Sequence, residues 1–376
     1  MIKRKLESSI VDCFGKGKII SLLGPRQVGK TTLIRQIAER SGMKYLWLNG
    51  DESDVREILS NTTSTALKAL TGNHKLIVID EAQRIKNIGL TLKLFADNLN
   101  DIQVIATGSS SFELSNEINE PLTGRKYEFY LYPLSFNELV SHTNLLEEKR
   151  LLQHRMIFGY YPEVVTKPDE DKRLLSLLSE SYLYKDIFVL DKIKKPVILE
   201  KLLQALALQL GNEVSFHELS LLLGINHETV ERYIDFLEKS FVIYKLTSLS
   251  RNLRNELKRS RKIYFWDNGI RNSIIKNFNI LSIRQDTGAL WENFLMSERI
   301  KAMHYAGILS NQWFWRTQSQ QEIDLIEEYN GQMYAYEFKW NPKAKIHNYK
   351  SFNDAYPECI TKKISIDNFA DFLLIE

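Results

Sequence analysis

The sequence predicts an α/β protein that opens with a doubly wound parallel sheet. Three observations lead there. Short apolar segments recur at "KIISLL", "KYLWLN", "KLIVID", "IQVIATG" and "YEFYLY", and helical patterns separate most of them, as strands joined by crossover helices require. The run "LIVID" is apolar without alternation, as a parallel strand buried on both faces should be. Between the first strand and the first helix stands the glycine loop "GPRQVGKTT", at the carboxyl end of a strand, where open sheets of this kind bind ligands.

The loop fits G-x-x-x-x-G-K-[ST] from Gly24 to Thr31. In such a loop the backbone of Gly24, Pro25, Arg26, Gln27, Val28 and Gly29 curls so that successive N–H groups point at phosphate oxygens. Lys30 supplies a charge to the β- and γ-phosphates. Thr31, with Thr32 beside it, supplies a hydroxyl to Mg²⁺. Leu33 and Ile37, with Ile34 and Ala38 beside them, give the following helix an apolar face, so the phosphate would rest on a helix N-terminus. Asp80 and Glu81 close the strand "LIVID"; Asp80 would hold Mg²⁺, and Glu81 would orient and deprotonate a water. ATP and Mg²⁺ are the expected cofactors, and hydrolysis of ATP the expected reaction.

Composition narrows the remainder. With 376 residues, 44% of them hydrophobic, the chain can bury two or three cores. A formal charge of +3 sets up no global basic field, so any nucleic-acid surface must be local. Cys13 and Cys359 are far apart in sequence and form no metal or disulfide pattern, which favours a reducing cytoplasm. No apolar stretch approaches a membrane span, and "MIKRKLESSI" lacks a signal peptide's apolar core. A transport ATPase of the membrane is therefore disfavoured.

Four parts are expected: a nucleotide domain over 1–140, a helical lid or connector over 141–210, a winged helix-turn-helix over 211–262 and a small α/β domain over 263–376. The third rests on "SFHELSLLLG", a glycine turn, "INHETVERYIDFLEKS" with Asn226 as N-cap, and the strand "FVIYKL". Its second helix carries Glu228, Glu231, Asp235 and Glu238, a poor face for a phosphate backbone. "RNLRNELKRSRK" (Arg251 to Lys262) is the better basic stretch, or else a solvated loop.

In the fourth part Asn330-Gly331 separates two alternating segments, a strong hairpin signal. Counting back from a two-residue turn sets Asp324 opposite Glu337 and Glu322 opposite Lys339, all on one face, with Ile323, Leu325, Tyr336 and Phe338 on the other. Asp324, Glu337 and Lys339 then make one divalent-metal site of the kind a nuclease needs, with Glu322 a neighbour. The same pairing also suits cross-strand salt bridges on a solvated face.

With these residues in place, nearly the whole chain resembles a family of prokaryotic AAA-type ATPases that carries domain of unknown function 4143 at its back. The resemblance rests on "GPRQVGKTT", "LIVIDEAQ", "VIATGSSS", "LTGRKYEF", "YPLSFNEL", "GYYPEVV", "YFWDNGIR" and "EIDLIEEYNGQMYAYEFKW". It implies that Ser109 senses the γ-phosphate, with Thr107 the competing assignment, and that Arg125 is an arginine finger, which implies a second copy of the chain if it acts in trans. The tail looks like the PD-(D/E)xK, restriction-endonuclease-like fold, with Glu292 an extra carboxylate. Ile323-Asp324 replaces its Pro-Asp, which leaves cleavage open. The leading function is a DNA-associated ATPase whose nuclease-like tail contacts nucleic acid, with cleavage left open. The rival is a nucleotide-dependent switch or scaffold with an inactive tail.

Overall fold

The computed structural model describes residues 2–109, 122–180, 196–249, 261–317, 319–346 and 350–375. These fall into two compact units, one running to Leu134 together with 239–241, the other holding the rest from Ser135 onward. Most of the basic stretch from Arg251, the end of "VIATGSSS" (Ser110 and Ser111), and the second half of "RLLSLLSESYLYKDIF" lie outside the described residues.

The first unit is an α/β layer structure around five strands: β1 (Ile19–Leu23), β2 (Tyr45–Asn49), β3 (Leu76–Asp80), β4 (Gln103–Gly108) and β5 (Lys126–Tyr130). All pair in parallel in the order β2-β3-β4-β1-β5. β1, β3 and β4 are buried along their whole length, which accounts for their unbroken apolar runs. β4 lies between β1 and β3, so the carboxyl ends of these three strands are neighbours.

The second unit holds two smaller sheets. β6 (Glu213–Val214), β7 (Ile243–Thr247) and β8 (Arg261–Phe265) form an antiparallel sheet with β8 in the middle. The helices Phe216–Leu223 and His227–Lys239 precede β7; Gly224 ends the first in a left-handed turn, and Asn226 Oδ1 accepts from Thr229 N at 2.8 Å at the start of the second. β9 (Asn311–Arg316), β10 (Glu322–Tyr329), β11 (Gln332–Phe338) and β12 (Ile360–Ile364) form a mixed sheet in the order β12-β11-β10-β9. The 19-residue helix Thr287–Tyr305 packs on β8 and β11. It is buried nearly all round, which explains why no single amphipathic stripe marks it in the sequence.

The segment "LLEEKRLLQHRMIFGY" reads as one helix but folds as two, Leu145–Arg150 and Leu152–Phe158. Across the break, buried Arg155 bonds buried Glu148 at 3.2 Å. No helix among the described residues is long and apolar enough to cross a membrane.

Candidate functional site

The glycine loop leaves β1 and enters the helix Lys30–Arg40, as its spacing requires. Gly24 has φ +149°, and a Cβ there would overlap the Leu131 carbonyl oxygen, so the loop depends on a residue without a side chain. Gln27 (φ 60°) and Gly29 (φ 92°) carry the remaining left-handed turns. Pro25 and Val28 are buried, Gln27, Thr31 and Thr32 exposed, and Arg26 half-buried. Buried Lys30 turns its ammonium back on the loop, donating to Gly24 O at 2.8 Å and Pro25 O at 2.7 Å. Arg4 braces the loop, donating to Val28 O at 2.5 Å and Tyr132 O at 2.7 Å.

Asp80 and Glu81 stand beside this loop because β4 intervenes by a single strand. Thr107 on β4 donates its hydroxyl to the buried Asp80 carboxylate and accepts from Glu81 N at 3.3 Å. Ser109, at the end of the same strand, accepts from Gln83 Nε2 at 3.1 Å, and Gln83 Nε2 also donates to Glu81 Oε2 at 2.5 Å. Of the two sensor assignments, Thr107 therefore touches the acidic strand end directly, while Ser109 reaches Glu81 through Gln83. A Cβ on Gly50 would overlap the Glu81 carbonyl oxygen, so β2 closes tightly against this corner. Arg125, just before β5, lies apart from it and pairs with Asp97 at 2.6 Å, both half-exposed.

In the second unit β10 and β11 turn at Asn330-Gly331, with Tyr329 opposite Gln332 and Leu325 opposite Tyr336. Beyond that pair Asp324 Oδ2 accepts from Phe338 N at 2.7 Å. Lys339 Nζ lies 3.2 Å from Glu337 Oε2 and 4.0 Å from Asp324 Oδ2, so the three predicted residues meet. The face assignment needs one correction. β10 carries a bulge against β9 between Ile323 and Ile326, and Ile323 packs in one cluster with Ile326 and Ala335 rather than with Leu325. A bulge inserts a residue and re-aims its neighbours, here around Asp324.

Glu292, on the helix Thr287–Tyr305, accepts from Tyr264 Oη at 2.6 Å and from Lys262 Nζ at 2.9 Å. Lys262 also pairs with Glu322, which reaches Arg316 at 3.4 Å. The sequence alone places Lys262 in a basic stretch or a solvated loop. It is instead completely buried, because β8 is the middle strand of its sheet and Lys262 faces this acidic cluster. Burial, with Glu292 nearby, raises the Asp324 carboxyl well above the usual range against the pull of Lys262 and Lys339. Glu337 is buried, and its Oε1 has no hydrogen-bond partner among the described residues. No group of three or more His, Cys, Asp or Glu side chains among them is arranged to hold a metal ion. Lys262 gives the reason: it draws Glu292 and Glu322 to itself, leaving Asp324 and Glu337.

Residues 16–140 match a family described as an AAA domain, residues 149–280 a domain of unknown function (DUF8612) and residues 287–369 a domain of unknown function (DUF4143). The chain has the architecture of the AAA-type family that carries domain of unknown function 4143 at its back. An uncharacterized protein of Mycobacterium tuberculosis is 27% identical over 328 residues, covering 86% of this chain and 70% of that one. One of Methanocaldococcus jannaschii is 24% identical over 393 residues, covering 98% and 83%. A Lon protease of Rickettsia conorii is 27% identical over 194 residues, covering 49% of this chain and 22% of that one.

Three residues of these sites escaped the sequence reading. Arg4 precedes the AAA match, and nothing in "MIKRKL" marks one base for burial. Gln83 stands in "DEAQ" inside the AAA domain, but its return onto Glu81 depends on a left-handed backbone at Glu81 (φ 51°). Lys262 belongs to the stretch matched as DUF8612 and yet serves the acidic cluster of the DUF4143 segment. The alternation in "RKIYFW", with Lys262 and Tyr264 on one face, was the available signal.

Proposed function

We propose that this chain is a cytoplasmic ATPase that hydrolyses ATP in its AAA domain and associates with DNA through a nuclease-like tail. The observation that carries the reading is the meeting of the glycine loop, Asp80 and Glu81 at the carboxyl ends of β1, β4 and β3. The donors available there, the Thr31 hydroxyl and the Asp80 carboxylate, are oxygens, which suits magnesium. Bound Mg²⁺ would neutralise charge on the β- and γ-phosphates. Lys30 would leave the Gly24 and Pro25 carbonyls for the phosphates, and Glu81 would take a proton from the attacking water. Ser109 or Thr107 would register the γ-phosphate, and Arg125 would act as an arginine finger, in its own chain or toward a neighbouring copy.

We assign 1–140 to the ATPase, 141–210 to a connector, 211–262 to a winged-helix-like part and 263–376 to the tail. In the tail, Asp324 and Glu337 would hold one divalent ion with few protein ligands, and the unpartnered Glu337 Oε1 supports this. Lys339 would stabilise charge developing on a phosphodiester. A second reading, a nucleotide-dependent switch with an inactive tail, is favoured by Lys339, which already pairs with Glu337 and lies 4.0 Å from Asp324.

Two measurements test these readings. Lys30→Ala should weaken ATP binding by about 100-fold or more, while Glu81→Gln keeps binding and loses turnover by a similar factor; normal turnover in Glu81→Gln would remove Glu81 as the base. In a Lys30→Ala background, calorimetry should detect a Mn²⁺ site that Asp324→Ala abolishes. Identical titrations of the two would leave the switch reading.

A further inference from the structure

The acidic corner of the first unit holds one polar side chain that the chemistry above does not use. Gln83 lies on the 3-10 turn Ala82–Arg84, directly after the left-handed Glu81. That reversal lays its carboxamide against Glu81, with Nε2 2.5 Å from Glu81 Oε2 and 3.1 Å from Ser109 Oγ. The amide has only one workable orientation. Turned over, its oxygen would meet the carboxylate acceptor to acceptor, whereas the NH₂ can donate to both Glu81 and Ser109. The other limb, Oε1, is buried and has no hydrogen-bond partner among the described residues. A buried acceptor left open in this way calls for a donor. The same carboxamide touches, through Nε2, the residue placed to activate water and the residue at the end of β4.

We propose that Gln83 is a positioning residue for the attacking water, an inference that rests on the ATPase reading. Its N–H limb holds the Glu81 carboxylate in place, and Oε1 accepts one hydrogen of the water whose other hydrogen faces Glu81. As the water oxygen bonds to the γ-phosphorus, the bond from that phosphorus to the β,γ-bridging oxygen breaks. The proton passes to Glu81, and ADP leaves with the electron pair. Because Ser109 binds the same amide, one planar group joins the end of β4 to the base. Displacement of Ser109 by an arriving γ-phosphate would therefore be felt at Glu81.

The test compares wild type with Gln83→Ala and Gln83→Glu. The glutamate keeps the side-chain volume but sets a second carboxylate against Glu81. ATP turnover, ADP affinity and affinity for ADP with aluminium fluoride, a mimic of the γ-phosphoryl group under attack, are measured on the full chain. In both variants kcat should fall about 100-fold with KM within about twofold. ADP affinity should stay within about twofold, and the additional affinity for the aluminium fluoride complex should disappear. Wild-type turnover in Gln83→Ala overturns the proposal. So does equal weakening of ADP and of the aluminium fluoride complex, the outcome of a mere brace, or an aluminium fluoride preference that survives the loss of turnover. If Gln83→Ala fails to fold, Gln83→Glu decides by the same criteria, its fold checked by its thermal midpoint. Failure of the ATPase reading is distinct: wild type itself would neither hydrolyse ATP nor prefer ADP with aluminium fluoride to ADP.

Discussion

The corner beside the glycine loop and the cluster beside the β10–β11 hairpin both bring carboxylates together at strand ends, but they compensate them by different means. At the loop, the Thr107 hydroxyl donates to Asp80 and accepts from the Glu81 backbone N–H, and the Gln83 amide donates to the Glu81 carboxylate. Lys30 donates to the carbonyl oxygens of Gly24 and Pro25. At the hairpin, Glu292, Glu322, Asp324 and Glu337 face Lys262, Lys339 and Arg316. Neutral donors hold a carboxylate in position without cancelling its charge, so it can still attract a cation. Buried ammonium groups cancel it, and their removal leaves a desolvated charge. The difference separates a corner whose carboxylates meet neutral groups from one whose carboxylates already meet cations inside the fold.

That contrast predicts unequal sensitivity. Lys262→Met should have the largest effect, a loss of about 3 kcal/mol in the urea unfolding of the second unit, because the half-buried carboxylates of Glu292 and Glu322 lose their buried cation. A loss near 1 kcal/mol would mean that water or a bound ion reaches the cluster. Asp286 comes next. It pairs with Arg271 at 2.5 Å and with Arg284 at 2.8 Å. Hydrogen bonds from Arg284 and Arg271 outweigh burial and bring its carboxyl down to about 2. Its folded value lies below the unfolded value of about 3.9, so its contribution is present above about pH 4 and disappears as pH falls toward 2. Asp286→Asn should therefore cost about 2 kcal/mol at pH 7, and the gap to wild type should close in urea titrations between about pH 4 and 2. A gap independent of pH would refute the ion-pair account.

At the loop corner, Thr107→Val should cost about 1.5 kcal/mol, the low end for a hydrogen bond to a charged group. It should weaken Mg²⁺·ATP more than ATP without metal, measured by fluorescent nucleotide binding; equal weakening would count against the proposal that Asp80, held by Thr107, binds the metal. The smallest effect on stability is expected at Arg125. Its pair with Asp97 is exposed, so Arg125→Ala should change unfolding by less than about 0.5 kcal/mol. If Arg125 serves a second copy, turnover per chain should rise with protein concentration, and mixing Arg125→Ala with Lys30→Ala chains should restore activity. A rate per chain that is flat with concentration would end the trans reading.

The two sites were also unequally visible in the sequence. Gly24 to Thr31 is contiguous, and its chemistry needs residue types at fixed spacing, so residues and roles could be read together. Asp80 joined them because "LIVID" ends a parallel strand, although the chain order alone does not say that β4 lies between β1 and β3. The pairing of Tyr329 with Gln332 and its continuation to Leu325 and Tyr336 followed from Asn330-Gly331 alone. What the hairpin count missed depends on distant partners. The bulge at Asp324 is defined against β9, and Lys262 is buried by sheet neighbours and by a helix that follows it. A lysine inside a run of bases looks solvated until the strand that contains it is known to be central.

The turn at Asn330-Gly331 also bears on the order in which the tail assembles. A β-hairpin forms in about 1–10 microseconds, whereas contacts between residues remote in the chain come later because a long loop must close first. Asp324 and Glu337 are thus drawn together early, before the strand carrying Lys262 and the helix carrying Glu292 have docked. The cation at hand in that interval is Lys339, the second residue after Glu337 on the same hairpin arm. On this ordering Lys339 would moderate the repulsion between the two carboxylates until the rest of the unit arrives. Exchange of Lys339 for an uncharged residue would then slow the closing of the hairpin itself, at a stage when Lys262 is still too far away to help.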